Sequence, residues 1–403
     1  MNTPHILAVN IGSSSLKFAL YAFDAPHHDL DPTPFSGNYQ GLQPGGTLQL
    51  QLKSSQQPQS VAVNGGAESA MQAALQDLQQ RLQAHLGGAA LMAVSHRIVH
   101  GGTRHHAPVV VDDTVLAELS ALEPLAPLHQ PHNLAGVRAF RAAMPGVPQV
   151  ACFDTAFHHS LPDLETRFAL PRALHDQGIR RYGFHGLSYD YVSGWLRAHT
   201  PHGNGRVLMA HLGNGASLCA TRDGRSIATT MGFTALDGLM MGTRCGTLDA
   251  GVALHLLQQG MSPEALTRLL YKESGLLGVS GVSADMRQLH RSDDPHAQEA
   301  IDLFVYRATR EAGGLMAVLQ GLDVLAFTGG IGEHDAQVRA ALVQGLAHTG
   351  LRLDEAANQA AHGQEAVAIH HPDSSAEIWA VPTDEGRVAA RAAWQLMQAQ
   401  ALA

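Results

Sequence analysis

Short apolar runs that end on polar, glycine-rich turns recur along the chain. The first, Ile6-Leu7-Ala8-Val9, leads into Asn10-Ile11-Gly12-Ser13-Ser14-Ser15-Leu16-Lys17, after which 16–23 is apolar or alternating. Alternation with a period of two marks a strand, so the stretch reads as strand, tight turn, strand. The pattern returns half a chain later, where Val207-Leu208-Met209-Ala210 runs into His211-Leu212-Gly213-Asn214-Gly215-Ala216-Ser217. A third run, Val324-Leu325-Ala326-Phe327, meets Thr328-Gly329-Gly330-Ile331-Gly332-Glu333, and 338–343 then looks helical. Such a glycine turn at a helix start exposes backbone N–H groups.

Between these runs the periodicity changes. Apolar positions 71, 74, 75, 78 and 82 predict an amphipathic helix over 67–86, and 387–400 predicts a final helix. The stretch 24–66 is rich in Pro, Gly, Gln and Ser, with one alternating segment at 47–52, and reads as a loop-rich insertion holding an edge strand. Leu91-Met92-Ala93-Val94 and 147–153 read as strands that lead to Arg97 and Asp154. Strands alternating with helices indicate an α/β sheet, whose ligands gather where strands end. The two glycine hairpins suggest two related halves.

Composition narrows the class. A chain of 403 residues with 45% apolar content is long enough for two domains with their own cores. A formal charge of −9 argues against nucleic acid or an anionic membrane as a partner. Cys152, Cys219 and Cys245 show no CxxC spacing, so neither a disulfide framework nor a zinc site is expected and a reducing cytoplasm fits. No signal pattern and no long apolar run appears, which predicts an unexported protein. The 25 histidines lack helical metal-ligand spacing, and pairs such as His27-His28, His105-His106 and His370-His371 read as solvated surface groups.

Glycine lets a backbone approach an anion closely, and hydroxyls with exposed N–H groups supply donors, so a polyphosphate is the natural ligand of these turns. Lys17 would add a point charge. Neither GxxxxGK[ST] nor GxGxxG is present, so the nucleotide would be held differently from a P-loop or dinucleotide fold. Arg97, Asp154, His185, Arg244 and Glu385 supply what phosphoryl transfer needs. Singly, each has a plain reading as a turn arginine, a packing histidine or a helix cap. Magnesium favours one or two carboxylates with phosphates and waters, which suits Glu385 with Asn10 or Asp154.

In order, VNIGSSSLKF, SHRIVHGG, PLAPLH, CFDTAFH, RYGFHG, HLGNGAS, MGTRCGTLD, SADMR, FTGGIGE and PTDEG resemble the acetate kinase family, of the acetate and sugar kinase, heat-shock ATPase and actin superfamily, over nearly the whole chain. The resemblance implies an α/β fold of two ribonuclease-H-like domains with duplicated topology and an interdomain active-site cleft. Residues 1–153 would form the first domain, completed by a helix at 386–403, and 154–385 the second. It implies a cytoplasmic homodimer that makes acetyl phosphate and ADP from acetate and ATP, reversibly and with magnesium, manganese being the alternative ion.

Roles follow from the matching motifs. Asn10 and Glu385 would hold the metal, and Ser13, Ser15 and Lys17 the phosphates. His211, Leu212, Gly213, Asn214 and Gly215, then Asp285, Met286 and Arg287, then Gly330, Ile331, Gly332, Glu333 and His334 match nucleotide-binding segments. Arg97 would hold the carboxylate beside Val99, Leu128, Phe184 and Ala235. His185 and Arg244 would stabilise the transferring phosphoryl, with Asp154 organising the metal. The C-terminal PTDEGRVAAR departs from the family's usual acidic pair followed by an apolar residue, though Glu385 is retained, and four single positions depart as well. Thr247 stands for Asp, Ala250 for Pro and His334 for Asn; Ala235 stands for Pro, which could admit one more carbon. The rivals are a propionate or butyrate kinase and a nucleotide-driven ATPase switch.

Overall fold

The computed structural model describes residues 3–24, 29–43, 46–55, 57–63 and 67–402. It divides into two compact units, Met1–Ala156 with Asp384–Ala403, and Phe157–Thr383. The first is built on strands β1 (His5–Ile11), β2 (Ser15–Asp24), β3 (Asp29–Gln40), β4 (Gln49–Leu52), β5 (Gln59–Ser60), β6 (Leu91–Ile98), β7 (Val109–Val110) and β8 (Gln149–Phe153). Their order in the sheet is β5-β4-β3-β2-β1-β6-β8-β7. The strands β1, β6 and β8 run parallel, and the other pairings are antiparallel.

The second unit carries β9 (Val207–Leu212), β10 (Ala216–Arg222), β11 (Arg225–Thr229), β12 (Val324–Thr328), β13 (Val367–Ala368) and β14 (Glu377–Ala380), in the order β11-β10-β9-β12-β14-β13. Here β9, β12 and β14 are parallel. Strand for strand this repeats β3-β2-β1-β6-β8-β7, with the same directions, so the topology is duplicated and the fold class is α/β. The expected edge strand at 47–52 is corrected: β4 lies inside the sheet, between β3 and the short β5. The region expected to be loop-rich holds the twelve-residue β3. Its Pro32, Pro34 and Gly37 hide the pattern. The prolines fit because the register against β2 shifts between Ala19 and Tyr21, and because β4 pairs only with Gly37–Gln40.

Packing follows from alternation along β1. Leu7, Val9 and Ile11 join Leu16, Phe18 and Leu20 in a core closed by Leu75, Leu78 and Leu82 of the helix Ala67–Leu86. The intervening residues face the last helix, Glu385–Ala401. Ala389, Ala390 and Ala393 are buried there, and the Cys152 thiol donates to the Ala389 carbonyl at 3.6 Å. Phe23 stacks on Trp394 with centroids 3.7 Å apart, and the Tyr21 hydroxyl donates to Asp384 at 2.6 Å. These contacts explain why the division differs from the expected 153/154 and 385/386 boundaries. Asp154 stays with the first unit, since its N–H extends the ladder onto the Ile98 carbonyl at 3.0 Å, and Glu385 opens the docked helix. In the second unit Tyr189, Val192 and Leu196 of the helix Gly186–His199 pack on Val207, Met209, Val324 and Ala326.

The third glycine cluster is not a loop. Gly329 alone turns the chain, at φ +75°, and Gly329–His334 is already helical. Most histidines read as surface groups, yet His96, His100 and His158 are interior, as is the site candidate His185, all less than a tenth exposed. Burial lowers the first three to about 4, so they are neutral packing groups at neutral pH. His106 and His371 are exposed, His105 and His370 half-buried, and His27-His28 lies outside the described residues. The three cysteines are free. Burial raises the thiols of Cys152 and Cys219 to about 12.

One interior charge is held, among the described residues, by neutral acceptors. The Arg339 guanidinium, fully buried, donates to Asn358 Oδ1 at 2.7 Å and to the carbonyls of Asn358, Ala361 and Gly332 at 2.7, 3.1 and 2.9 Å. It ties the glycine helix to the segment 358–361. Replacing it by methionine removes the guanidinium donors from four acceptors in the interior. Arg339→Met is expected to lower unfolding free energy by about 3 kcal/mol, measured by urea denaturation; an unchanged midpoint and slope would refute the tie.

Candidate active site

In the first unit the site grows from the carboxyl ends of β1, β6 and β8. Asn10 and Lys17 are direct partners across the β1–β2 hairpin. Because Val9 faces the core, both belong to the opposite face, the one covered by the last helix. Gly12–Ser14 makes the turn, closed by the Gly12 N–H on the Ser15 carbonyl at 2.9 Å and exposed, while Ser15 is half-buried. The Ser14 carbonyl accepts from Gly41 and Leu42, which anchors the turn to the end of β3.

Arg97 leaves the same face of β6. Its Nε and Nη2 meet Asp154 Oδ1 and Oδ2 at 3.0 and 2.6 Å, and its Nη1 lies 3.4 Å from Glu385 Oε2. Asp154 is buried, with only 2% of its side chain exposed. Burial opposes the Arg97 charge, but the carboxylates of Asp154 and Glu385 outweigh it and hold the guanidinium above its ordinary pKa. Two carboxylates thus meet the one guanidinium. Asn133, unnoticed in the sequence, joins two parts of this half: its Nδ2 donates to the Ile11 carbonyl at 2.7 Å and its Oδ1 accepts from the Val99 N–H at 3.1 Å. Val99 is buried and Leu128 half-buried.

In the second unit the turn after β9 is the focus. A Cβ on Gly215 would lie 2.8 Å from Arg244 Nη2 and 3.2 Å from His185 Nε2, so those groups close on one small space above the glycine. His185 occupies the left-handed region (φ 59°) as the cap of the helix Gly186–His199, and its ring stacks on His211 at 4.2 Å. Its Nδ1 is 2.8 Å from Ser217 Oγ, which is 2.5 Å from the Tyr189 hydroxyl. Arg244 Nη1 donates to the Ala235 carbonyl at 2.5 Å. Position 235 therefore supports Arg244 through its backbone, whatever its side chain. Phe184 is buried and Ala235 half-buried.

The remaining segments gather at the same turn. A Cβ on Gly242 would collide with Asn214 Oδ1 and come within 3.2 Å of the Ala284 carbonyl, and one on Gly213 would lie 3.8 Å from the Gly330 N. Gly330 has open space about it. Asp285 caps a short helix and pairs with the exposed Arg287, whose side-chain hydrogen bond holds the Asp285 carboxyl below its usual range. Leu212 and Met286 are core side chains and Gly332 is buried, so these three can offer a ligand only backbone. Ile331 is half-buried. The Glu333 carboxylate accepts from the N–H groups of Gly329 and Thr383 at 3.0 and 3.1 Å, so it works as a tether.

The departures from the family pattern have local explanations. The Thr247 hydroxyl donates to Asp237 at 2.8 Å and accepts from the Gly238 N–H at 3.2 Å, closing the loop that carries Arg244. Ala250 is the first residue of a helix capped by Asp249, the position where proline is favoured but not required. His334 is exposed, with its ring against Gly363.

Residues 5–391 match the model of the Acetokinase family. Acetate kinase of Rhodopseudomonas palustris (strain ATCC BAA-98 / CGA009) is 50% identical over 413 residues, covering 97% of this chain and 98% of that one. That of Methylocella silvestris is 45% identical, covering 99% of each. Among solved structures, Porphyromonas gingivalis acetate kinase superposes with a TM-score of 0.84 at 33% identity, over 98% of this chain and 100% of the other. A propionate kinase from Francisella tularensis subsp. tularensis SCHU S4 gives 0.86 at 33% identity, over 96% and 98%. With likeness of that extent in both sequence and fold, the chain belongs to the acetokinase family.

Proposed function

We propose that the chain transfers the terminal phosphoryl group of ATP to acetate, reversibly, giving acetyl phosphate and ADP. The observation that carries the reading is the convergence of His185 and Arg244 on the space above Gly215, in a chain half identical to an acetate kinase. The acceptor is a carboxylate, already ionised at neutral pH, so no base is required and charge neutralisation does most of the work. In this reading Arg97 orients the acceptor beside Val99, Leu128, Phe184 and Ala235. His185 and Arg244 donate to the oxygens of the transferring group, and Ser13, Ser15 and Lys17 serve the phosphates. The turn His211–Gly215, with 285–287 and 330–334, serves the nucleotide.

Magnesium fits this set. Asp154 and Glu385 bring two carboxylates to one place, and magnesium characteristically takes one or two carboxylates with phosphates and water. Among the described residues no group of three or more His, Cys, Asp or Glu forms an all-protein cage. Glu385 and Asn10 would hold the ion, with Asp154 fixed beside them by Arg97. Bound there, it would offset phosphate charge.

We also propose a homodimer. Leu248, Val252, Leu254 and Leu257, on and just before the helix Ala250–Gln258, are 42, 41, 60 and 38% exposed, and that helix buries none of its residues. A cytoplasmic site suits three free cysteines, and among the described residues no helix is long and apolar enough to cross a membrane. One observation favours a second substrate. Because the Ala235 carbonyl, not its side chain, holds Arg244, the alanine can leave room for propionate without loosening the arginine.

Four outcomes are expected. Acyl phosphate trapped with hydroxylamine from MgATP should form fastest with acetate, and propionate should follow within about 10- to 200-fold in kcat/KM, the worth of one methylene; ATP hydrolysis with no trapped product would mean an ATPase switch instead. Arg97→Ala should raise the acetate KM and, by taking the bidentate donor from the buried Asp154, cost about 3–5 kcal/mol of stability. Arg244→Ala should instead lower kcat roughly 100- to 1,000-fold, and steady-state kinetics with the roles reversed would overturn the assignment. Leu254→Glu should convert dimers to monomers in sedimentation equilibrium, and a wild-type monomer would refute the interface.

A further inference from the structure

His185 could present either of two faces to a phosphoryl oxygen. A neutral imidazole carries one proton, and the nitrogen without it offers a lone pair that would repel an anion. Which nitrogen holds the proton is decided by what the other one meets. Here Nδ1 meets Ser217 Oγ at 2.8 Å, and Nε2 is the atom that closes with Arg244 on the space above Gly215.

The proton can be traced from the far end. Tyr189 is fully buried, and among the described residues the side-chain acceptor within reach of its hydroxyl is Ser217 Oγ, at 2.5 Å. With Ser217 Oγ as that acceptor, the Tyr189 proton goes to Ser217. The Ser217 hydroxyl has a single proton of its own, and the acceptor left for it is His185 Nδ1. Ser217 is also fully buried, so water does not offer an exchange of partners.

We propose that Tyr189 and Ser217 are positioning residues that hold His185 in the tautomer with its proton on Nε2, so that Nε2–H and Arg244 Nη2–H form a paired donor for one phosphoryl oxygen. The inference rests on the phosphoryl-transfer reading above. The same wiring disfavours the imidazolium. A proton on Nδ1 would point at an oxygen already receiving the Tyr189 hydrogen and would leave the serine proton without an acceptor. His211 stacks on His185 at 4.2 Å, and its own Nδ1 is engaged by Ser188 at 2.8 Å. Ser217 and His211 are direct partners across the β9–β10 ladder, so the backbone sets both ends of the stack.

The test is the ring nitrogen spectrum of histidine-labelled protein, with His185 identified by the signals lost in His185→Asn. Wild type is expected to show a protonated Nε2 and an unprotonated Nδ1 at neutral pH. Tyr189→Phe and Ser217→Ala should shift His185 toward a mixture of tautomers. They should also lower kcat about tenfold, less than the roughly 100- to 1,000-fold cost of deleting a whole donor, while both KM values stay within about twofold; Ser217→Thr should restore the rate. A wild-type ring protonated on Nδ1, or on both nitrogens, overturns the proposal, and this reading does not depend on Tyr189→Phe or Ser217→Ala folding. Unchanged kcat in both variants overturns it as well. Failure to trap acyl phosphate with wild type would sink the functional reading instead, and the ring spectrum would still report the tautomer.

Discussion

The bidentate pairing of Arg97 with Asp154 ties together the ends of two neighbouring parallel strands, and the first half of the site depends on it. Parallel strands bring their carboxyl ends to one edge, so residues far apart in sequence arrive together there. A guanidinium at that edge needs counter-charge once it is partly withdrawn from water, and Asp154 supplies it with matched geometry. Glu385 reaches the same guanidinium because the last helix lies against the sheet on small alanine side chains. Bulkier residues at Ala389, Ala390 or Ala393 would lift that helix and carry Glu385 away from Arg97.

The second half obeys a different constraint, close approach. Gly215 leaves space that a side chain would fill, and two nitrogens occupy its margin. The flanking strand β10 turns Ser217 inward beneath them, and the helix that His185 caps brings Tyr189 to meet it. The two hairpins, alike in topology, are put to different uses. The first is exposed and rich in hydroxyls; the second is hemmed in by an arginine and a histidine.

Features set by local pattern were legible in the sequence. The helix at 67–86 announced itself by its apolar spacing, and the two glycine hairpins by the alternating strands around them, which also made the repeat visible. What escaped was set by distant neighbours. β3 carries two prolines and a glycine whose cost vanishes only because of its register shift and its half-open side. Asn133 gains its meaning from partners at Ile11 and Val99, and Arg339 from carbonyls at 332, 358 and 361. The interior histidines looked like solvated ones because nothing in the adjacent residues betrays burial. Glu333 stood inside a recognisable motif, yet only the fold reveals that its carboxylate is taken up by backbone N–H groups.

Lys17, opposite Asn10 at the first hairpin, has a further consequence. An acyl phosphate acylates amines and thiolates, so a catalyst that makes one is exposed to its own product. The chain carries only Lys17, Lys53 and Lys272 as lysines; its other cationic side chains besides histidine are arginines, whose guanidinium stays protonated and is a poor nucleophile. The thiols of Cys152 and Cys219 are buried and held at about 12, leaving almost no thiolate. Self-acylation thus has few targets, and of the three lysines it is Lys17 whose modification would erase a charge beside the glycine turn.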